Sequence, residues 1–270
     1  MSTTGLPELI IAIKGAGEMA SAIAWRLFQA RMRRMVMMEI PNPLAVRRAV
    51  SFCEAIHDGV MAVEGVEAQR VDGLGDIPRA WEEGRIAVIV DPRWAAVREM
   101  RPQVVVDAIL AKRNPGTRME EAPLVIALGP GFVAGQDAHL VIETNRGHNL
   151  GRLLISGSAE PDTGVPGDIG GYTAERVLRA PRAGTFETMR EIGQRVAAGE
   201  KVGHVDGMAM KAGINGVLRG LIRSGTAVQA GLKLGDIDPR GEVDYCHTIS
   251  DKARAIAGSV LEAILRVYNV

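Results

Sequence analysis

Residues 179–206 superimpose on residues 211–238 without a gap, at an offset of 32. Gly184 meets Gly216, Gly193 meets Gly225, Val196 meets Val228, and Gly199 meets Gly231. Lys201, Gly203 and Asp206 likewise meet Lys233, Gly235 and Asp238. Short β segments between glycine turns, repeated twice, imply two interlocking halves that share one core.

The opening part of the chain has a different texture. Leu9-Ile10-Ile11-Ala12-Ile13 is a continuous apolar run, as expected of a strand buried on both faces of a parallel sheet. Gly15-Ala16-Gly17-Glu18-Met19-Ala20 follows, then Ala20, Ile23, Ala24, Leu27 and Phe28 at helical spacing, then the strand Met35-Val36-Met37-Met38, ending at Glu39. Strand, Gly-x-Gly-x-x-Ala, helix, strand and acid is the order of a dinucleotide-binding βαβ unit. Gly15 would allow the tight turn, Gly17 the approach of a pyrophosphate, and Ala20 close helix–strand packing, while Glu39 would accept from a ribose hydroxyl and so favour NAD over NADP. Glu18 works against this reading, because a carboxylate at a helix N-terminus can take the place of a phosphate. Arg47 and Arg48, early in a helix expected to begin at Asn42-Pro43, could offset it or serve another anion.

Ile86–Val90 and Val104-Val105-Val106 are further strands, ending in Asp91 and Asp107. Acids at the carboxyl ends of strands line the crevice where open α/β sheets bind ligands, and Asp91 before Pro92 also suits a helix cap. Between 108 and 176 the chain turns polar. A glycine-rich turn at Gly129-Pro130-Gly131 follows the strand 124–128, and Asn145, Arg146 and His148 fall in one run, a set suited to an anionic or heteroaromatic group. A glycine-rich loop over 156–172 is too long to be mere connection. His139, Glu143 and His148 match no standard metal spacing, so no metal is expected. No Gly-x-Ser-x-Gly elbow supports a hydrolase triad.

Ser250 caps a final amphipathic helix carrying Ala253, Ile256, Ala257, Val260, Leu261, Ile264 and Leu265. Three segments result: an α/β, Rossmann-like mostly parallel sheet domain over 1–174, a small β module over 175–241, and a helical segment over 242–270 packing back on the first. The 32 Lys and Arg balance 32 Asp and Glu, which removes the electrostatic motive for nucleic-acid binding. No apolar run nears the roughly 18 residues of a membrane-spanning helix, the opening residues 1–7 lack the features of a signal peptide, and two cysteines build no disulfide framework. A cytoplasmic protein without membrane or nucleic-acid partners is expected, with a homo-oligomer allowed.

The repeat resembles biotinyl/lipoyl barrel-sandwich domains, with Ala-Met-Lys at 209–211 echoing the biotinylation tripeptide. Lys211 aligns with Arg179 of the first copy and so belongs to a strand; covalent biotin or lipoate is not expected there. Across nearly the whole chain, the blocks at 14–21, 104–112, 128–132, 142–148, 235–241 and 249–256 resemble the YqeB family, accessory proteins linked to selenium-dependent molybdenum hydroxylases. That resemblance implies a maturation role with a hydroxylase or its maturation machinery as partner. It points to a phosphorylated cofactor, NAD or a molybdopterin-type molybdenum cofactor, in the crevice formed by Gly15, Gly17, Glu18, Ala20, Glu39, Asp107, Gly129, Gly131, Asn145, Arg146 and His148. The residues leave open two other readings: an NAD-dependent oxidoreductase, and a non-catalytic interaction protein whose phosphate site Glu18 has closed. Whether the chain catalyses a step at all is open.

Overall fold

The computed structural model describes residues 5–269; the part of the signal-peptide reading that rests on residues 1–4 lies outside them. The chain forms two compact units. One comprises Met1–Pro43, Ser51–Asp162 and Ile249–Val270, the other Leu44–Val50 and Thr163–Thr248.

The first unit is built on a nine-stranded sheet. Its strands are β1 (Ile11–Lys14), β2 (Met35–Glu39), β3 (Val60–Val63), β4 (Val66–Val71), β5 (Ile86–Val90), β6 (Val104–Asp107), β7 (Leu124–Leu128), β9 (Leu140–Ile142) and β10 (Leu153–Leu154). They lie in the order β10-β9-β7-β6-β1-β2-β5-β4-β3. The seven inner strands run parallel, while β3 and β10 close the two edges antiparallel. A separate two-stranded ribbon pairs β8 (Val133–Ala134) with β11 (Gly157–Ser158).

Central strands lack polar alternation because both faces are covered. Helix α1 (Glu18–Gln29) packs on the long α5 (Asp251–Tyr268), which also touches β7 and β9. On the other face, Ala12, Val36, Val105 and Val125 meet Ile77 and Ala80 of α3 (Ile77–Glu82) and Ala96 and Val97 of α4 (Ala95–Met100). Asp91 accepts from Ala96 N at 2.8 Å and so holds the first turn of α4. The apolar stripe of α5 is buried along Ala253, Ile256, Ala257, Val260 and Ile264, and its cap forms through Ser250, which accepts from Ala253 N.

The expected Rossmann-like domain followed by a biotinyl/lipoyl-like barrel-sandwich does not describe this architecture. A doubly wound sheet joins its parallel strands through helices on both faces. Here the β6–β7 connection holds only a 3-10 turn at Met119–Glu121, and the β7–β9 connection holds only β8. Both connections are rich in Gly, Pro and charge and carry no helical periodicity, so the long C-terminal α5 covers β7 and β9 in place of crossover helices. The helix expected from Asn42-Pro43 is also absent. Residues 44–50 belong to the second unit, and only 3-10 turns at Arg48–Val50 and Phe52–Glu54 and the short α2 (Ala55–Asp58) follow.

The second unit is two antiparallel four-stranded sheets, β12-β19-β17-β14 and β16-β15-β13-β18. The first repeat supplies β12 (Val177–Arg179), β13 (Gly184–Glu187), β14 (Arg195–Val196) and β15 (Lys201–Val205). The second supplies β16 (Met208–Lys211), β17 (Gly216–Leu221), β18 (Thr226–Val228) and β19 (Lys233–Asp238). Exchanging each strand for its counterpart in the other repeat turns one sheet into the other. Each sheet therefore mixes strands of both halves, and neither half closes a core alone. Phe186, Val205, Leu218, Leu221, Leu234 and Ile237 fill the shared interior. Lys211 ends β16 opposite Lys201.

Candidate functional site

In the first unit, the carboxyl ends of β1, β6, β7 and β9 gather most of the residues singled out from the sequence. Between β1 and α1 lie Gly15 and Gly17, with Gly17 in the N-cap position and Ala20 fully buried beneath. The amide that would face a phosphate is already engaged: Ala16 N donates to Glu39 Oε1 at 2.7 Å, and Glu39 Oε2 accepts from Ile40 N at 3.0 Å. Burial pushes the Glu39 carboxyl up from its ordinary value, against the pull of these two amides. The other side of the turn is tied down as well. Ala16 O accepts from Cys53 N at 2.8 Å and from Ser21 Oγ at 3.0 Å. Glu18 points elsewhere, accepting from Ser250 Oγ at 2.9 Å.

Asp107 ends β6 and is 1% exposed. Its Oδ2 accepts from Thr117 Oγ1 at 2.6 Å, and Thr117 Oγ1 accepts from Lys14 Nζ at 2.7 Å. Lys14, itself fully buried, is held by Glu121 at 2.7 Å and lies 5.4 Å from the centre of the Trp94 ring. Burial raises the Asp107 carboxyl, with the Thr117 hydroxyl, the Ile109 amide and Lys14 opposing. Asp107 thus anchors the loop over 108–118 to the sheet, where Leu110 and Lys112 are left-handed at φ 59° and 60°. Gly129 follows β7. Gly131, at φ +104°, leaves so little room that an added Cβ would stand 2.4 Å from the Cα of Arg113. The close approach Gly131 permits is to the chain's own backbone.

A second group of polar side chains sits around the N-terminus of α5. Buried Glu143 accepts from Asn145 N and Glu160 N, both at 2.6 Å. Asn145 Nδ2 and Asn149 Nδ2 donate to Glu160 at 2.6 and 3.1 Å, and these two amides hold the Glu160 carboxyl below its ordinary range. Arg146 makes a two-pronged pair with Asp251 at 2.6 and 3.0 Å, and Lys112 pairs with Asp162 at 2.6 Å. Amid these stands Lys252, half-buried in the first turn of α5. Its amine feels Arg146, Glu18, Glu143 and Asp162. Burial and then the Arg146 charge lower its pKa from the ordinary value, overriding the three carboxylates. The positive end of the helix dipole acts in the same direction.

His148 is exposed on the loop. Among the described residues no cluster of three His, Cys, Asp or Glu could hold a metal ion. His139 Nδ1 accepts from Val125 N at 3.0 Å, which ties it to the sheet. Arg47 and Arg48 serve no anion at the β1 turn. Arg47 donates to the carbonyl oxygens of Tyr245 and Thr248, and Arg48 to that of Leu221, all within the second unit. Cys246 is fully buried in that unit, and burial pushes its thiol up. Lys252 is the residue that reading the sequence missed. A cation at the second position of a helix runs against the dipole, and that breach of preference was its one visible sign.

No protein-family model matches the chain. It is 47% identical over 260 residues to a protein from Escherichia coli (strain K12) named "Uncharacterized protein YqeB", an alignment that takes in 96% of this chain and 48% of the relative. Among solved structures, TcdA aligns over 98% of this chain and 90% of its own at 13% identity and a TM-score of 0.35. An aspartoacylase family protein from Mesorhizobium loti aligns over 84% of both chains at 14% identity and a TM-score of 0.28. A succinylglutamate desuccinylase from Silicibacter sp. TM1040 aligns over 85% of this chain and 84% of its own at 12% identity and a TM-score of 0.24. At scores this low none lends its activity to this chain. The expected accessory role toward a selenium-dependent molybdenum hydroxylase is not upheld: the relative is named only as uncharacterized, and the Ala16 amide of the expected phosphate turn is taken by Glu39. The NAD-dependent oxidoreductase fails with it, since Glu39 is spent on Ala16 and Ile40 rather than on a ribose. The closed-site interaction reading gave the plug to Glu18, whose carboxylate instead takes the Ser250 hydroxyl. Among the described residues no helix is long and apolar enough to cross a membrane. The chain spans about half the length of the curated relative that it matches, and over nearly all of its own length it is similar to that protein.

Proposed function

We propose that the first unit handles a small carbonyl-bearing molecule at the carboxyl edge of its parallel sheet, through the amine of Lys252. One observation carries this reading. Lys252 is half-buried among Arg146, Glu18, Glu143 and Asp162, yet no hydrogen bond or ion pair holds its amine among the described residues. A buried lysine whose charge is disfavoured by burial, a neighbouring arginine and a helix N-terminus is a poised nucleophile or base. Its surroundings are fixed: Glu143 by two backbone amides, Arg146 by Asp251, and Glu18 by the helix cap. The place fits too, since open α/β sheets bind ligands outside the carboxyl ends of their strands where the chain order reverses. That reversal falls between β1 and β6.

Glyoxylate with cyanoborohydride tests the proposal. The amine adds to the aldehyde carbon, water leaves, and the reductant delivers hydride to the resulting imine, so the peptide containing Lys252 gains a stable adduct. Labelling of Lys252 well ahead of exposed Lys201 and Lys211 is expected at neutral pH. Equal labelling of all three, or none at Lys252, would overturn the reading.

A further inference from the structure

Elsewhere in the same unit, residues within 97–123 line an open groove of about 940 Å³, among them Arg98, Arg101, Gln103, Arg118, Glu120 and Glu121. Its charge balance is uneven. Arg98, Arg101 and Arg118 carry no ion pair among the described residues, whereas Glu121 is neutralised by the buried Lys14 at 2.7 Å. That leaves three arginines facing Glu120 alone.

Their placement follows from the local backbone. Arg98 lies in α4 and Arg101 at its C-cap, and both line the groove. Arg101 is itself left-handed, at φ 48° and ψ 60°, a conformation that costs free energy in a residue bearing a Cβ. Arg118 caps the 3-10 turn that delivers Glu121 to Lys14, so the ion pair beneath fixes the turn that carries it. Gln103 is anchored through Oε1, which accepts from Ile10 N at 2.8 Å, so its Nε2 remains a donor to the groove. Val97, Pro102, Ala122 and Pro123 give the groove apolar walls.

We propose that this groove binds a small organic dianion, a phosphate monoester or a dicarboxylate with a flat apolar body, gripped by the Arg98, Arg101 and Arg118 guanidinium forks. Planar guanidinium groups match both anions in two-pronged geometry, and a cavity of this size suits a small molecule. The site is independent of the Lys252 reading, shares no residue with it, and stands or falls alone.

Calorimetric titration of the intact chain with phenyl phosphate and with phthalate tests it, with benzyl alcohol as the neutral control. Saturable binding of at least one dianion, weakened by salt and reduced about tenfold or more by the Arg101→Ala, Arg118→Ala pair, is expected. Which probe binds distinguishes the phosphate from the dicarboxylate source. Should the alanine pair fail to fold, Arg101→Lys with Arg118→Lys keeps the charge and removes the fork, and a severalfold weakening is still expected. Absence of binding by both dianions, equal binding of benzyl alcohol, or affinity untouched by the lysine pair would overturn the proposal.

Discussion

Two turns at the carboxyl edge of one sheet meet opposite fates. After β1, the Gly15–Gly17 turn has the shape of an anion cradle, and the chain's own Glu39 occupies the Ala16 amide at 2.7 Å. Around α5, a polar loop without a recognisable motif surrounds an amine that feels Arg146, Glu18, Glu143 and Asp162 and that no hydrogen bond or ion pair holds among the described residues. A motif specifies backbone shape; whether its donors are vacant depends on side chains that arrive from other strands. Motif shape and binding capacity therefore have to be judged separately.

The sharpest way to break the comparison is at Gly131. If glycine there serves packing, Gly131→Ala meets both a positive φ and the Arg113 backbone, and a loss of about 3 kcal/mol or more is expected in a denaturant titration. Tolerance of alanine would return that turn to the list of ligand-facing positions. Next is Glu39→Ala, which strips a buried amide of its acceptor and is expected to cost about 1–3 kcal/mol. If this variant is as stable as the parent, Glu39 does not fill the turn as described.

Glu39→Gln is milder, expected within about 1 kcal/mol, because the amide oxygen still accepts from Ala16. Its value lies in pH. The folded Glu39 carboxyl holds its proton more tightly than the ordinary 4.5, so its contribution to stability is fully present below that pH and lost as pH rises through the raised value. Stability measured from pH 4 upward should show that decline in the parent and lack it in the Gln variant. The smallest effect is expected for Lys252→Met. Removing a cation that opposes the helix dipole should leave thermal stability unchanged or raise it by a few tenths of a kcal/mol. A clear loss there would mean that Lys252 holds the structure together, and the site would lose its reactive group.

Much of the frame was legible from the sequence. The 32-residue offset marked two matching runs of short β segments, because Gly184, Gly193, Val196 and Gly199 each had a counterpart. β1, β2, β5, β6 and β7 of the first unit were visible as unbroken apolar runs. What stayed hidden was set by tertiary contacts. The stretch over 48–56 carries a helix-like spacing of Ala49, Val50, Cys53 and Ile56, but its first 3-10 turn, Arg48–Val50, belongs to the second unit and its second, Phe52–Glu54, to the first. The acid at the end of β2 was recognised, while its destination was not, since a carboxylate can reach a ribose or a neighbouring amide from the same position. Asn145 and Arg146 were singled out for an anionic or heteroaromatic group, but Lys252, more than a hundred residues away, gave no local signal beyond its awkward place in the helix.

Competitive acetylation of the native chain, read lysine by lysine by mass spectrometry across a pH series, asks most directly whether the α5 amine gives up its proton more readily than an ordinary lysine. Half-maximal modification of Lys252 should come at a lower pH than that of Lys201 or Lys211. Modification at the same pH as these two strand lysines, or later, would contradict it.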